Sequence, residues 1–252
     1  LDRTEYGNYE IIGLDNQSEE PATHRLMESL ADADDRVRFE HYDYQFNFSA
    51  INNFGADLAE GEHLLLLNND TEVIAPEWLG AMLAHSQCEE VGAVGAKLLY
   101  PDDRIQHAGA ILGIGGVAGH SHKFLNNSAN GYFSRPHLAQ NISAVTGACL
   151  MVKRRLYEQL EGLEEHYLSV AFNDIDFCIR LREKCLLNIY EPAAVLYHHE
   201  SISRGYEDSD EKRGRFSTEV RYMQFRHAIT LAETDPYFNP NLSPHSEGFL
   251  SR

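Results

Sequence analysis

Cysteine is scarce in this 252-residue chain: Cys88, Cys149, Cys178 and Cys185 are scattered, and no Cys-x-x-Cys pair occurs. That excludes a disulfide-stapled miniprotein or a zinc knuckle and fits a reducing compartment, read here as the cytoplasm. Basic charge is also short. The 21 Lys and Arg stand against 39 Asp and Glu, a formal net charge of −18, so a protein that gripped nucleic acid or an anionic membrane would work against its own field. Nucleic acid is therefore not an expected partner. Long hydrophobic runs are missing: Leu64 to Leu67 falls far short of the roughly 20 residues that cross a bilayer. No basic-then-apolar stretch opens the sequence, which reads as soluble. There is no internal repeat and no low-complexity linker, and Gly113, Gly115 and Gly116 lack the spacing and following helix of a dinucleotide fingerprint.

At 28.6 kDa and 43% hydrophobic residues, the chain has enough core-forming material for an ordinary globular domain. Glu10 to Leu14 predicts a short strand ending in the polar Asp15-Asn16-Gln17-Ser18. Ile51, Phe54 and Leu58 lie at helical spacing between a cap at Asn47 or Ser49 and a stop at Gly61, predicting an amphipathic helix. His63 to Leu67 is a continuous apolar run of strand length, as a strand buried on both faces would be, ending in Asn68-Asn69-Asp70-Thr71. Pro76 suits the first turn of a helix carrying Trp78, Leu79, Met82 and Leu83, and Val91 to Tyr100 predicts another strand. Alternating strands and helices imply a mostly parallel sheet flanked by helices, with ligands at the carboxyl ends of the strands. Ile111 to Gly119 predicts a long loop or hairpin outside that sheet. Ile142 to Val152 predicts a strand, and Asn173 a cap for a helix reaching Lys184. Leu186 to Tyr197 is extended, and a helix covers Phe216 to Ala232.

Three groups can carry chemistry. Asp70 follows a strand where a carboxylate can hold a divalent cation against a diphosphate, or where it merely closes an Asx-rich turn. Asp174 and Asp176 are either a base and its companion or first-turn residues favoured by the helix dipole. His198-His199 follows the extended segment, and one of the two, pointing to one face, can complete a cation site with Asp70.

The order of these pieces resembles the family 2 glycosyltransferases of GT-A fold. The correspondence runs through Tyr9 to Ile12 and Asp15 to Ser18, Phe46 to Asn53, Leu67 to Asp70, Val91 to Gly95, Ile105 to Gly109, Thr146 to Leu150, Asn173 to Leu181 and His198 to Ser201. The resemblance implies that Asn68-Asn69-Asp70 takes the place of an Asp-x-Asp motif. Asp70 then ligates Mn²⁺ or Mg²⁺ on the nucleotide diphosphate, and Asn68 makes a neutral contact to ribose or to the metal's water. It further implies that Asp15 contacts the nucleoside and that Asp174 is the base deprotonating the acceptor hydroxyl. His198 stands on the metal side, with His199 as runner-up. Thr146, Gly147 and Ala148 line the sugar and acceptor pocket with Asn173 and Asp176, and Arg204 reaches the diphosphate.

The expected activity is inverting transfer from a UDP- or dTDP-sugar to a hydroxyl of a polysaccharide or lipid-linked glycan, in the cytoplasm and in part at the inner face of the cell membrane. The expected organisation is a transferase domain over 1–205 with a C-terminal helical extension and tail over 206–252. Family members open with a strand ending in a nucleotide-binding turn. Nothing before Leu1 supplies it, so the first strand is expected to be missing. A noncatalytic carbohydrate or nucleotide-sugar module is the rival reading, supported by that gap and by Asn68 and Asn173. A two-metal phosphohydrolase is a third, weakened by the few carboxylates and histidines available.

Overall fold

The computed structural model describes residues 2–199, 209–243 and 249. The chain opens with β1 (Ile11–Asp15), α1 (Pro21–Ala33) and β2 (Val37–His41), and β1 and β2 pair in parallel. α1 starts on a proline whose missing N–H is an orphan at a helix start anyway, and none of its residues is buried. Next come α2 (Phe48–Leu58), β3 (His63–Leu67), β4 (Thr71–Val73), α3 (Trp78–Ser86) and β5 (Val91–Leu99). The α2 cap is Asn47, whose side chain accepts from the Ala50 N–H.

The chain continues through β6 (Ile105–His107), the hairpin β7 (Ala110–Leu112) and β8 (Ala118–His120), β9 (Gln140–Ile142) and β10 (Cys149–Lys153). It ends with α4 (Arg154–Gln159), α5 (Asn173–Glu183), β11 (Leu187–His198), α6 (Asp210–Arg226) and α7 (Ala228–Ala232). The predicted hairpin stands apart from the large sheet, as a two-stranded sheet of its own.

The large sheet runs β3-β10-β5-β11-β4, with β6 on β5 and β9 on β11. Its pairings differ from the mostly parallel sheet expected: β11 with β5 is parallel, whereas β10 with β3 and β5, β11 with β4 and β9, and β5 with β6 are antiparallel. The helical crossover through α3 does make β3 and β5 run the same way, but β10 returns from the opposite direction and inserts between them. The reading of 142–152 as one strand gives way to β9 and β10 separated by a six-residue strap, 143–148. That strap passes over β5 where Gly95 leaves no room: a Cβ there would lie 2.4 Å from Val145 Cβ.

One core joins Leu64, Leu66, Val152, Phe177, Ile179 and Tyr190 under α5, and Met223 of α6 packs into it. A second joins Trp78, Leu79 and Met82 of α3 to the other face of β5 and β10. β3 is not buried on both faces, since Leu67 is 43% exposed. Among the described residues β3 pairs with β10 alone and β1 with β2 alone. The open edges of β1 and β3 both border a cavity of about 2340 Å³, floored by α2 residues such as Ile51 and Ala56. Glu10 accepts from the Glu60 and Gly61 N–H groups, tying the amino ends of the two strands together.

Candidate functional site

The carboxyl ends of β1 and β3 open into that same cavity, which Asp15, Asn68, Asp70 and His198 all border. Asp15 ends β1 and is buried; it accepts from the Ser18 N–H at 3.1 Å and meets His41 Nδ1 at 3.2 Å. Burial acts to raise its carboxyl, but the Ser18 and His41 contacts outweigh it and leave Asp15 below its ordinary value.

Asp70 and His198 come from the turn after β3 and the end of β11, and His198 Nε2 lies 3.1 Å from Asp70 Oδ1. The tautomer follows from the neighbours. Gln106 donates its amide to the His198 carbonyl, so its Oε1, 2.7 Å from His198 Nδ1, accepts the ring proton. Nε2 is then bare, as its 3.2 Å approach by the Asn68 amide also requires. Two lone-pair atoms, imidazole Nε2 and carboxylate Oδ1, thus face each other, and Asp70 Oδ1 is buried without a hydrogen-bond partner among the described residues. A divalent cation fits that donor set, imidazole nitrogen plus carboxylate oxygen, with the Gln106 amide fixing the ring from behind. His199 points elsewhere, to Glu72 at 3.3 Å.

The expected acceptor-side residues sit on and beside the strap, and neither Thr146, Gly147 and Ala148 nor Asp174 is among the residues lining the cavity. The Asn68 N–H donates to the Ala148 carbonyl, joining the turn after β3 to the strap. Gly147 N–H donates to Asp174 Oδ2 at 2.8 Å, Ile175 N–H to Asp174 Oδ1 at 2.8 Å, and the Thr146 hydroxyl also bonds that carboxylate. Burial dominates and raises the Asp174 carboxyl above its ordinary value, the three donors restraining the rise. A carboxylate so poised is a stronger base than an exposed one.

Two expected contacts lie elsewhere. Asn173 is not a cap: Phe172, at φ 62°, precedes the helix, and the buried Asn173 amide donates to the Val170 carbonyl at 3.1 Å. Asp176 is 1% exposed and spends both oxygens on structure, Oδ2 on Arg180 Nε and Oδ1 on His227 Nε2, each at 2.7 Å. Its partner His227 follows α6, so Asp176 ties α5 to the C-terminal helices. Arg204 and the boundary at 205 and 206 lie outside the described residues.

Gln106, His107 and His41 are site neighbours to which the sequence assigned no role. Gln106 and His107 lie in the Ile105 to Gly109 stretch that carries the family resemblance, but nothing in that pattern tells which strand end they face. Among the described residues no group of three or more His, Cys, Asp or Glu is placed to hold a metal. No helix there is long and apolar enough to cross a membrane.

The family model for glycosyl transferase family 2 matches residues 1–161. The uncharacterised protein y4gI of Sinorhizobium fredii is 49% identical over 99% of this chain, and the O-antigen biosynthesis protein RfbC of Myxococcus xanthus is 36% identical over 96%. The chain spans 27% and 18% of the length of those two relatives. An N-acetylglucosaminyl-diphospho-decaprenol L-rhamnosyltransferase of Mycobacterium tuberculosis is 27% identical over 33% of the chain and 27% of its own length. Among solved structures, a mannosyltransferase from Pyrobaculum calidifontis in complex with GDP-Man and Mn²⁺ aligns with a TM-score of 0.62 at 17% identity, covering 95% of this chain and 61% of its own. GalNAc-T7 with UDP, GalNAc and Mn²⁺ aligns at 0.68 and 12% identity, covering 87% and 42%. Both likenesses establish the GT-A fold.

Proposed function

This chain belongs to glycosyl transferase family 2, and from that premise we propose that it moves a sugar, with inversion, from a UDP- or dTDP-sugar to a hydroxyl of a polysaccharide or lipid-linked glycan. The observation that carries the reading is the facing pair Asp70 Oδ1 and His198 Nε2, 3.1 Å apart in a cavity that Asp15 also borders. Asp70 and His198 would hold Mn²⁺ or Mg²⁺, which when bound supplies positive charge beside the leaving diphosphate. The chain's own residues do the rest. Asp15, held as an anion, receives hydroxyl or amide hydrogens of the nucleoside. Asn68 steadies His198 without adding charge to a protein already at −18. The strap presents the acceptor, and Asp174 takes the proton from its hydroxyl as the anomeric carbon is attacked from the face opposite the diphosphate. RfbC's role in O-antigen biosynthesis and the rhamnosyltransferase's lipid-diphosphate acceptor support a polysaccharide or lipid-linked glycan acceptor.

Calorimetry with UDP and Mn²⁺ tests this. Nucleotide binding should depend on the cation, and Asp70→Asn or His198→Ala should weaken it by about 10- to 100-fold. Cation-independent glycan binding, with no nucleotide bound, refutes the reading in favour of a noncatalytic module.

A further inference from the structure

His107, fully buried at the end of β6, and His120, half-buried at the end of β8, meet behind the strap. Their Nδ1 atoms are 2.8 Å apart and their rings stand edge to face, with centroids 5.0 Å apart. Neither ring nitrogen of His107 is left to chance. The Thr146 N–H, a donor in every protonation state, points at His107 Nε2 at 3.3 Å, so Nε2 is bare and the His107 proton sits on Nδ1. That proton is given to His120 Nδ1, so His120 in turn carries its own proton on Nε2. Hydrogen bonding therefore runs one way, from the Thr146 N–H to His107 and on to His120. Burial, helped by the charges of His120 and His198 on His107 and of Lys123 and His198 on His120, pushes both imidazoles below the ordinary histidine value, His120 to about 4, so both are neutral at physiological pH.

We propose that His107 and His120 are positioning residues which, through the Thr146 backbone, set the place and proton affinity of the Asp174 carboxylate. The link is short. Thr146 carries the hydroxyl that bonds Asp174, and the next residue, Gly147, gives its N–H to the same carboxylate at 2.8 Å. An imidazole suits this post because it accepts a buried N–H without bringing a second negative charge near Asp174, which a carboxylate would do. His120, held in place by the β7–β8 hairpin, selects the His107 tautomer. This assignment rests on the reading of Asp174 as the base, although its first test needs no substrate.

Histidine ¹⁵N spectra of the unliganded protein should show His107 protonated at Nδ1 and His120 at Nε2. Carboxyl ¹³C titration should place the Asp174 midpoint higher in His107→Leu than in wild type, because the carboxylate loses firmly held donors. His107→Gln, which keeps an acceptor toward Thr146, should restore most of the difference. In turnover assays His107→Leu should lower kcat by about 10- to 100-fold with donor KM unchanged, and His107→Gln should recover it. A His107 proton on Nε2 overturns the proposal even if the leucine variant does not fold, and so does an unmoved Asp174 midpoint in a folded one. If the midpoints shift as expected but Asp174→Asn retains full turnover, the base assignment fails and the positioning device stands.

Discussion

Replacing Asp176 by alanine is expected to destabilise the fold strongly while leaving the proposed metal and nucleotide site in place. The carboxylate is 1% exposed and is shared by Arg180 Nε and His227 Nε2, both at 2.7 Å. His227 is itself buried, with 1% of its side chain exposed. Removing the anion leaves the Arg180 guanidinium, 11% exposed, without its counter-charge. Breaking a buried pair from one side costs about 3–5 kcal/mol. Against the roughly 5–15 kcal/mol that separates folded from unfolded domains, that is a fifth or more of the margin. With a urea slope of about 3 kcal/mol/M, the unfolding midpoint should fall by about 1–2 M. The pH dependence has a sign. Burial acts to raise the Asp176 carboxyl, but the His227 bond and the Arg180 charge overcome it and hold it below its ordinary 3.8. Its contribution is therefore present above that value and is lost as the pH falls through the lower native one. The gap between wild type and variant should be full at pH 7 and close under strong acid. Coincident urea midpoints at pH 7, or a gap that widens in acid, would refute this account.

Asp174→Asn should cut turnover by about 10² to 10⁴ while nucleotide binding stays near wild type. In the wild-type protein the acid limb of kcat should lie above the ordinary aspartate value, activity rising with pH as Asp174 ionises, because its buried carboxyl is raised. A pH profile checks both the direction and its loss in the variant. Gly95→Ala should destabilise by about 1–3 kcal/mol, read by thermal denaturation, since its Cβ would meet Val145 2.4 Å away in a strap that cannot retreat from Cys178 and Asp174.

Some of this architecture is visible in the residues themselves. β1, α2, α3, β5, β11 and the hairpin after residue 109 have apolar patterns of the right period, and the structure forms each within a few residues of its expected bounds. α1 and β2 are not among the expected elements, although Leu26, Met27 and Leu30 recur at helical spacing in α1, none of them buried. His63 to Leu67 looked buried on both faces because it is all apolar, yet composition cannot show that Leu67 faces an open edge. The return of β10 between β3 and β5 depends on distant pairing, which local periodicity does not encode. In the site, Asp70 and His198 were legible because each closes an apolar strand. The choice of His198 over His199 was not, since it rests on Gln106, 92 positions away. His107 and His120 were silent for the same reason: a buried pair exists only once β6 and β8 are placed.

The three residues of β6 carry an arrangement with its own thermodynamic consequence. Gln106 steadies His198 beside the cation pair, and its neighbour His107 holds the strap from which Asp174 hangs. The two proposed half-sites, one for the donor and one for the acceptor, are thus hung from consecutive residues of one short strand, itself clipped to β5 at Leu98 and Leu99. Whatever stiffens that strand from one side removes part of the ordering cost on the other. Linkage makes such coupling reciprocal, so a donor that tightened acceptor binding through β6 would be tightened by the acceptor to the same factor.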